Sequence, residues 1–244
     1  MEDKLKLLAK NIKPNITNEV VNDKLVITLS GSVGKPYWFE DEEDYINEKH
    51  VKSLINDTDK DIVIKLNSPG GDVFEGIAVY NYLKGIENHV AIEVTALAAS
   101  AASIIAMAGD ELVMCTGSQL MVHEASTITW GNKADHYKTI NALETIDNSL
   151  VSVYEDKTGI DREVITDWLN GETWFTAEEA VEQGLANRLK NLSDNQVVNK
   201  KVTVNVDADE IVAKITAQLE ERFGLNKQKE KPMTGLNKLF GGKK

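Results

Sequence analysis

The chain has 244 residues, of which 42% are hydrophobic, and its formal net charge is −12 at pH 7. This length fits one large α/β domain or a domain with an appendage. The acidic charge argues against a nucleic-acid-binding surface across the body of the protein, and the single cysteine, Cys115, excludes an intramolecular disulfide.

The sequence predicts neither a signal peptide nor a membrane span. No basic segment leads into an apolar run at the N-terminus, so a cytoplasmic location is expected. The longest apolar stretch, residues 94–108, is interrupted by Thr95, Ser100 and Ser103, and it is shorter than the roughly twenty residues of a membrane-spanning helix. It predicts the end of a buried strand followed by a buried helix.

The first half of the chain alternates predicted strands with predicted helices. Short β-branched runs bounded by glycine or polar residues predict strands, and apolar residues at helical spacing predict helices. The strands are expected at residues 20–21, 25–29 and 61–66, and the helices at residues 45–54 and 73–83. A sharp turn at residues 67–71, with the sequence Asn-Ser-Pro-Gly-Gly, separates the third strand from the second helix.

The same alternation continues through the second half. Strands are predicted at residues 90–94, 111–114 and 120–122, and helices at residues 98–108, 135–157, 162–169 and 177–183. The last helix opens with Thr176 and has Glu179 three residues later, which is a capping-box pattern. Strands alternating with helices imply crossover connections, an α/β fold and a largely parallel sheet.

The composition changes after about residue 192, which predicts a main domain over residues 1–192 and an extension over residues 193–244. Within the extension, residues 202–206 are compatible with one more strand. Residues 208–223 predict an amphipathic helix, with Ile211, Ile215, Leu219 and Phe223 on one face. The lysine-rich end predicts a flexible basic tail.

Three separated segments carry residues suited to acyl-transfer hydrolysis, which needs a nucleophile, a base and amide donors for the developing oxyanion. Ser100 lies at the start of the alanine-rich helix, where the N–H of Ala101 is a candidate oxyanion donor. Gly71, in the glycine turn, is a candidate for the second donor. His123 follows a short apolar strand and is the candidate base.

Each of these signals is weak when taken alone. A serine near a helix start is usually a cap or a packing residue, Ser-Pro-Gly-Gly is a turn in most proteins, and a histidine after apolar residues is more often structural. The inference depends on a parallel sheet that brings the strand ends together.

The order and spacing of the motifs are more specific. The Asn-Ser-Pro-Gly-Gly turn, then Ala-Ala-Ser at residues 98–100, then Met-Val-His at residues 121–123 resemble the Clp peptidase family. The resemblance extends over residues 61–189 and implies the Clp peptidase/crotonase-like fold, with repeated ββα-type units. It also implies a ring-shaped homo-oligomer of protein- or peptide-cleaving subunits, in which Trp130 and the long helix after it build a subunit contact.

The resemblance assigns roles by position. Ser100, and not Ser103, matches the family's nucleophile, and His123 matches its general base. The position of the family's aspartate falls on Glu172, which is a departure, because the longer side chain needs a shifted backbone to orient the imidazole. Asp167 is the nearest aspartate and the alternative, and a Ser-His dyad without a third member is also open.

Further motifs resemble the Clp-like head maturation (prohead) proteases of tailed bacteriophages. They are Gly-Asn at residues 131–132, Asp-Lys-Thr-Gly at residues 156–159 and Glu-Thr-Trp-Phe-Thr at residues 172–176. This resemblance implies a serine endopeptidase that cleaves scaffold and capsid precursors inside an assembling procapsid, in the cytoplasm of an infected cell. The extension would then be a docking element, a scaffold-like segment or a self-removed tail.

Three other functions stay open. The first is a host-type Clp proteolytic subunit, the second a crotonase-like acyl-CoA-binding enzyme, and the third a non-catalytic capsid assembly protein. The Ser100 mechanism needs no metal and no organic cofactor, and neither a nucleic acid nor a membrane is expected as a partner.

Overall fold

The computed structural model describes residues 11–35 and 44–190. The strand, helix and basic tail that the sequence predicts within residues 193–244 lie outside the described residues. Within the described ranges, no helix combines the length and the apolar character needed to cross a bilayer.

The described part of the chain forms one sheet of eight strands with helices packed against it. The strands are β1 (Asn15–Val21), β2 (Lys24–Ser30), β3 (Ile62–Ser68), β4 (Val90–Ala99), β5 (Glu111–Met114), β6 (Gln119–Val122), β7 (Thr173–Thr176) and β8 (Arg188–Leu189). Their order is β1-β2-β3-β4-β5-β8, and β6 pairs with both β4 and β7. The pairs β1–β2 and β6–β7 are antiparallel and the others are parallel, which confirms the predicted α/β fold class.

Most of the helices that accompany these strands begin after a residue whose side chain accepts from the first free N–H groups, and the short helix after Ser100 is the exception among the described residues. The helices are α1 (Glu48–Ile55), α2 (Val73–Gly85), α3 (Ala101–Ala106), α4 (Lys133–Thr158), α5 (Arg162–Asn170) and α6 (Ala177–Glu182). The Asp72 side chain accepts from the first free N–H groups of α2, and the capping box predicted for Thr176 and Glu179 is present. The long predicted helix is α4, which has 26 residues.

The hydrophobic core lies along the central strands β3 and β4. Alternate residues of β3, among them Ile62, Ile64 and Leu66, are fully buried. Helices α2 and α3 pack closely at Gly76. A Cβ at this position would lie only 2.9 Å from the carbonyl oxygen of Ala101. The short helix that follows Ser100 is therefore held from both sides by the core and by α2.

The predicted start of the helix at residue 98 is wrong. Strand β4 continues to Ala99, because Ala98 and Ala99 pair with Leu120 and Met121 of β6, and α3 begins only at Ala101. Alanine has a high helix propensity, but strand pairing in the core overrides that local preference here.

Three short or polar strands, β1, β7 and β8, lie largely beyond what the sequence predicts. β1 is mostly exposed and pairs with β2 through a tight turn in which Asn22 and Asp23 both have positive φ. β7 has four residues, of which only Phe175 is buried, and β8 has two, so neither shows the apolar run or the alternation by which strands are identified.

Candidate active site

The strands β4 and β6 place two of the predicted site residues at the same edge of the sheet. Ser100 directly follows β4 and His123 directly follows β6. These strands are parallel neighbours, with Ala99 opposite Met121, and the Ser100 N–H donates to the Met121 carbonyl at 2.9 Å. Because their ends meet at one edge, the two side chains emerge side by side.

The Ser100 hydroxyl and the His123 imidazole are in direct contact. His123 Nε2 lies 2.7 Å from Ser100 Oγ, a hydrogen-bond distance, and His123 is only 8% exposed. Ser100 has φ 55° and ψ −128°, a conformation that non-glycine residues rarely adopt. The serine thus sits on a sharp strand-to-helix turn that turns its side chain toward the base.

The glycine turn packs directly against Ser100. Gly70 and Gly71 have φ of 89° and 148°. A Cβ at Gly70 would lie 2.5 Å from the Ala99 carbonyl oxygen and 2.7 Å from Ser100 Cβ, and one at Gly71 would lie 2.0 Å from the Val33 carbonyl oxygen. Both positions therefore require glycine for steric reasons and for backbone conformation.

The two predicted oxyanion donors border the same cavity as the serine and the histidine. This cavity has a volume of about 600 Å³, and Gly71, Ser100, Ala101 and His123 are among its lining residues. Among the described residues, neither the Gly71 N–H nor the Ala101 N–H has a protein acceptor. Two free amides beside a serine–histidine pair can stabilise a developing oxyanion.

The environment of His123 favours the neutral imidazole at rest. Burial lowers the pKa of His123, while the carboxylates of Glu172 and Asp147 raise it, and burial is the larger effect. A neutral imidazole can accept a proton from the serine hydroxyl.

The structure brings Glu172 near His123 without a hydrogen bond between them. The His123 Nδ1 atom is buried and has no partner among the described residues. Glu172 has φ 47°, and its Oε1 accepts from Trp174 Nε1 at 3.3 Å. The alternative, Asp167, is exposed on α5, and no contact joins it to His123 within the described part of the chain.

The segments that carry His123 and Glu172 are nevertheless linked through one backbone atom. The carbonyl oxygen of Leu169, in α5, accepts from the N–H of Glu124 and from the N–H of Glu172, each at 3.2 Å. The backbone N–H groups of Glu124 and Glu172 are therefore hydrogen-bonded to the same carbonyl oxygen.

Asp147 is a residue of this site that the sequence analysis missed. Its Oδ1 accepts from the Ala125 N–H at 2.7 Å, two residues beyond His123, and burial raises the pKa of the Asp147 carboxyl. In α4, Asp147 lies between Leu143 and Leu150 on the stripe that faces inward. A carboxylate inside an apolar helical stripe is the signal that would have identified it.

Ser103 is fully buried and its hydroxyl is engaged elsewhere. Its Oγ lies 2.6 Å from the Ser100 carbonyl oxygen and 2.7 Å from the Tyr154 hydroxyl. The structure thus places Ser100, and not Ser103, in contact with His123.

Comparison with known proteins identifies the family to which the chain is similar. A family model described as Clp protease matches residues 42–192. The ATP-dependent Clp protease proteolytic subunit 1 of Chlamydia abortus is 32% identical over 178 residues, which are 70% of this chain and 91% of that protein. Proteolytic subunit 3 of Rhodococcus jostii is 30% identical over 135 residues, 54% of this chain and 67% of that protein.

The corresponding proteolytic subunit of Bacteroides fragilis (strain ATCC 25285) is 30% identical over 131 residues, 53% of this chain and 63% of that protein. The match therefore spans less than two thirds of the Bacteroides subunit, whereas it spans nearly all of the Chlamydia subunit. The chain belongs to the Clp protease family, and this membership confirms the predicted enzyme class of serine peptidase.

Proposed function

We propose that the chain is a Clp-type serine endopeptidase in which Ser100 is the nucleophile and His123 is the general base. The observation that supports this most directly is the 2.7 Å contact between Ser100 Oγ and His123 Nε2. Gly71 and Ala101 line the same cavity, and their N–H groups have no acceptor within the described part of the chain. A nucleophile, a base and two donors in one cavity are the parts that acyl-transfer hydrolysis requires.

In the acylation step, His123 Nε2 takes the Ser100 proton while Oγ attacks the scissile carbonyl. The Gly71 and Ala101 amides donate to the oxyanion, and each such donor is typically worth about 100- to 1,000-fold in rate. The imidazolium then gives its proton to the leaving amine as the C–N bond breaks. A water molecule, deprotonated by His123, hydrolyses the acyl-enzyme and regenerates Ser100. Each step is assigned to a group of this chain, and no metal or organic cofactor enters the proposal.

We propose that Glu172 is the third catalytic residue, in the place of the family's aspartate. It acts on the His123 imidazolium by its charge. The Glu172 carboxylate raises the pKa of His123, so it favours the protonated form that exists during the reaction. Asp147 contributes a second negative charge in the same direction. Asp167 does not take part in this proposal, because it is exposed on α5.

The cavity beside Ser100 supports a polypeptide as the substrate. Apolar side chains are among the lining residues of this cavity; they include Ile128, Leu143, Ile146 and Leu150. Such a lining accommodates an apolar side chain of an extended or unfolded segment. The matched Clp protease family favours this function over the crotonase-like and non-catalytic alternatives.

Two biological settings are compatible with this chemistry. The relatives named above are proteolytic subunits of ATP-dependent Clp proteases, which favours a ring-forming subunit that works with a separate ATPase. The motifs at residues 131–132, 156–159 and 172–176 resemble phage head maturation proteases, which favours cleavage of scaffold and capsid precursors.

A fluorophosphonate probe tests the chemistry without knowledge of the cleavage motif. We expect one adduct per chain, located on Ser100 by peptide mass spectrometry, and none in the Ser100→Ala or His123→Ala variant. Ser118→Ala is the control, because Ser118 is buried and its hydroxyl has no hydrogen-bond partner among the described residues, and it should react like the wild type. A folded wild-type protein that does not react, or an adduct that persists in Ser100→Ala, would contradict the proposal.

Two measurements distinguish the two biological settings. One is whether the chain removes its own extension, and the other is whether its proteolysis depends on ATP. Loss of residues from the 193–244 extension in the wild type, but not in Ser100→Ala, would support maturation-type processing. Degradation of a folded protein only when an ATPase and ATP are supplied would support the proteolytic-subunit setting.

A further inference from the structure

Ser103 and Tyr154 are buried polar residues next to the site that the proposed peptidase mechanism does not use. Ser103 belongs to α3 and is 0% exposed, and Tyr154 belongs to α4 and is 2% exposed. Their hydroxyl oxygens lie 2.7 Å apart, and Ser103 Oγ also lies 2.6 Å from the Ser100 carbonyl oxygen. The two side chains therefore form a relay that ends on the backbone of the proposed nucleophile.

The chemistry of the acceptor fixes the direction of this relay. A carbonyl oxygen only accepts, so the single hydroxyl proton of Ser103 is committed to the Ser100 carbonyl. The proton between Ser103 and Tyr154 must then come from the tyrosine. Burial raises the pKa of Tyr154 to about 12, so its hydroxyl keeps this proton at neutral pH.

The anchored carbonyl shares a peptide group with one of the proposed oxyanion donors. The Ser100 C=O and the Ala101 N–H belong to the same planar trans peptide, so they point in opposite directions. The Ser100 carbonyl also accepts from the Ser103 N–H at 2.8 Å. Rotation of this peptide would break both bonds to its oxygen and would turn the Ala101 N–H at the same time.

The need for such an anchor follows from the strained turn. Ser100 has a positive φ, and residues in such sparsely populated conformations persist only where the surrounding structure holds them. Rotation of the peptide that follows Ser100 changes the ψ of Ser100, and it would relieve this strain by carrying ψ from −128° toward the left-handed region that is allowed at φ 55°. The hydroxyl of Ser103 opposes this rotation, and Tyr154 fixes the position of the Ser103 hydroxyl.

We propose that Ser103 and Tyr154 are positioning residues that hold the Ser100–Ala101 peptide with its N–H directed at the oxyanion of the substrate. The proposal rests on the peptidase function proposed above. It adds a route by which α4, an element outside the catalytic pair, sets the geometry of the oxyanion site.

The test compares the reaction of a fluorophosphonate with the wild type, Tyr154→Phe, Ser103→Ala and the double variant. In this reaction Ser100 Oγ forms a bond to phosphorus, fluoride leaves, His123 takes the hydroxyl proton, and the phosphoryl oxygen needs the same donors as a peptide oxyanion. We expect the inactivation rate constant to fall roughly 3- to 10-fold in Tyr154→Phe and about 10- to 100-fold in Ser103→Ala. The half-saturating probe concentration should stay unchanged, because probe binding precedes charge development.

Tyr80→Phe is the matched control. The Tyr80 hydroxyl bonds to Asp156 at 3.1 Å, and the pKa of Tyr80 is likewise raised to about 12, but no hydrogen bond among the described residues links this hydroxyl to Ser100. This variant should react at the wild-type rate, although it also loses one tyrosine hydrogen bond. The pH midpoint of the reaction should be the same in all variants, because each of them keeps Glu172 and Asp147, the charges that act on His123.

The outcomes separate this proposal from the one on which it rests. If the folded wild type does not react, the peptidase function fails and the positioning role fails with it. If the wild type reacts and Tyr154→Phe and Ser103→Ala keep its rate constant while losing thermal stability, only the positioning role is overturned. A double variant no slower than Ser103→Ala supports a relay, whereas independent, multiplying losses contradict it. If Ser103→Ala does not fold, the comparison of the inactivation rate constants of Tyr154→Phe and Tyr80→Phe is sufficient to test the proposal.

Discussion

At the scale of single residues, His123 is held between two opposing influences. Burial beside Ser100 lowers the pKa of the imidazole, and two partly buried carboxylates, Glu172 and Asp147, raise it. Burial dominates, so the resting base is neutral, while the carboxylates stabilise the imidazolium that forms when Ser100 is deprotonated.

The rate of Ser100 modification should therefore depend on pH with a predictable sign. Only the neutral imidazole accepts the serine proton, so the rate rises as pH increases through the pKa of His123 and is lost below it. Because burial depresses this pKa, the midpoint should lie below 6.5, the ordinary value. The measurement is the fluorophosphonate rate constant as a function of pH.

Removal of either carboxylate should shift that midpoint further down. In Glu172→Gln and in Asp147→Asn one negative charge is lost, so the imidazolium is less stable and the pKa of His123 falls. Asp167→Asn is the control and should leave the midpoint in place, because Asp167 is exposed on α5. A shift in Asp167→Asn alone would contradict the assignment of Glu172.

Sequence reasoning could find Ser100 and His123 because the order and spacing of the motifs around both resemble one family. It could not find Asp147 or the link from Tyr154 to Ser103, because these contacts depend on how α4 packs across the sheet. Residues 103 and 154 are far apart along the chain, and no local pattern shows that they meet.

At the scale of elements, the site is the junction between β4, α3 and the glycine turn before α2. Strand β4 pairs first with β5 and then, from Leu97, with β6. This change of partner brings the β6 end, and with it His123, against the β4 end. The sequence predicted both strands and the turn, but ended β4 at residue 94, because the alanines that follow have no strand signal of their own.

The glycine turn should tolerate no side chain. In Gly70→Ala the new Cβ would meet the Ala99 carbonyl and Ser100, and the φ of 89° disfavours alanine, so we expect a loss of about 1–3 kcal/mol in the free energy of unfolding and slower labelling of Ser100. Gly85→Ala is the matched control, since nothing lies within 4 Å of a Cβ there and the glycine is helical. It should be stabilising by about 0.5–1 kcal/mol. Urea denaturation and the labelling rate measure both effects, and an equally harmless Gly70→Ala would contradict the steric argument.

At the scale of the whole molecule, the described residues leave an apolar surface around the start of α4. Trp130 is 89% exposed, Ile128 67%, Tyr137 56% and Ile140 48%. Exposed apolar side chains that cluster in this way mark association sites in soluble proteins. They support the proposed use of Trp130 and α4 in a subunit contact.

Light scattering tests this contact. The wild type should have a mass several times the 27.0 kDa of one chain, and Trp130→Glu should shift the protein toward smaller species, because a charge would be buried in the contact. Val20→Glu, which changes an exposed valine of β1, is the control and should keep the wild-type mass. A wild type that is monomeric at micromolar concentration would refute the proposed oligomer.

The carbonyl oxygen of Leu169, which accepts two hydrogen bonds, couples the positions of His123 and Glu172. One oxygen atom at the end of α5 holds both the backbone that follows the histidine and the backbone of the glutamate. A displacement of this helix end therefore carries base and carboxylate in the same direction. A movement of α5 should therefore change the distance between His123 and Glu172 little. It should change the distance of both residues from Ser100.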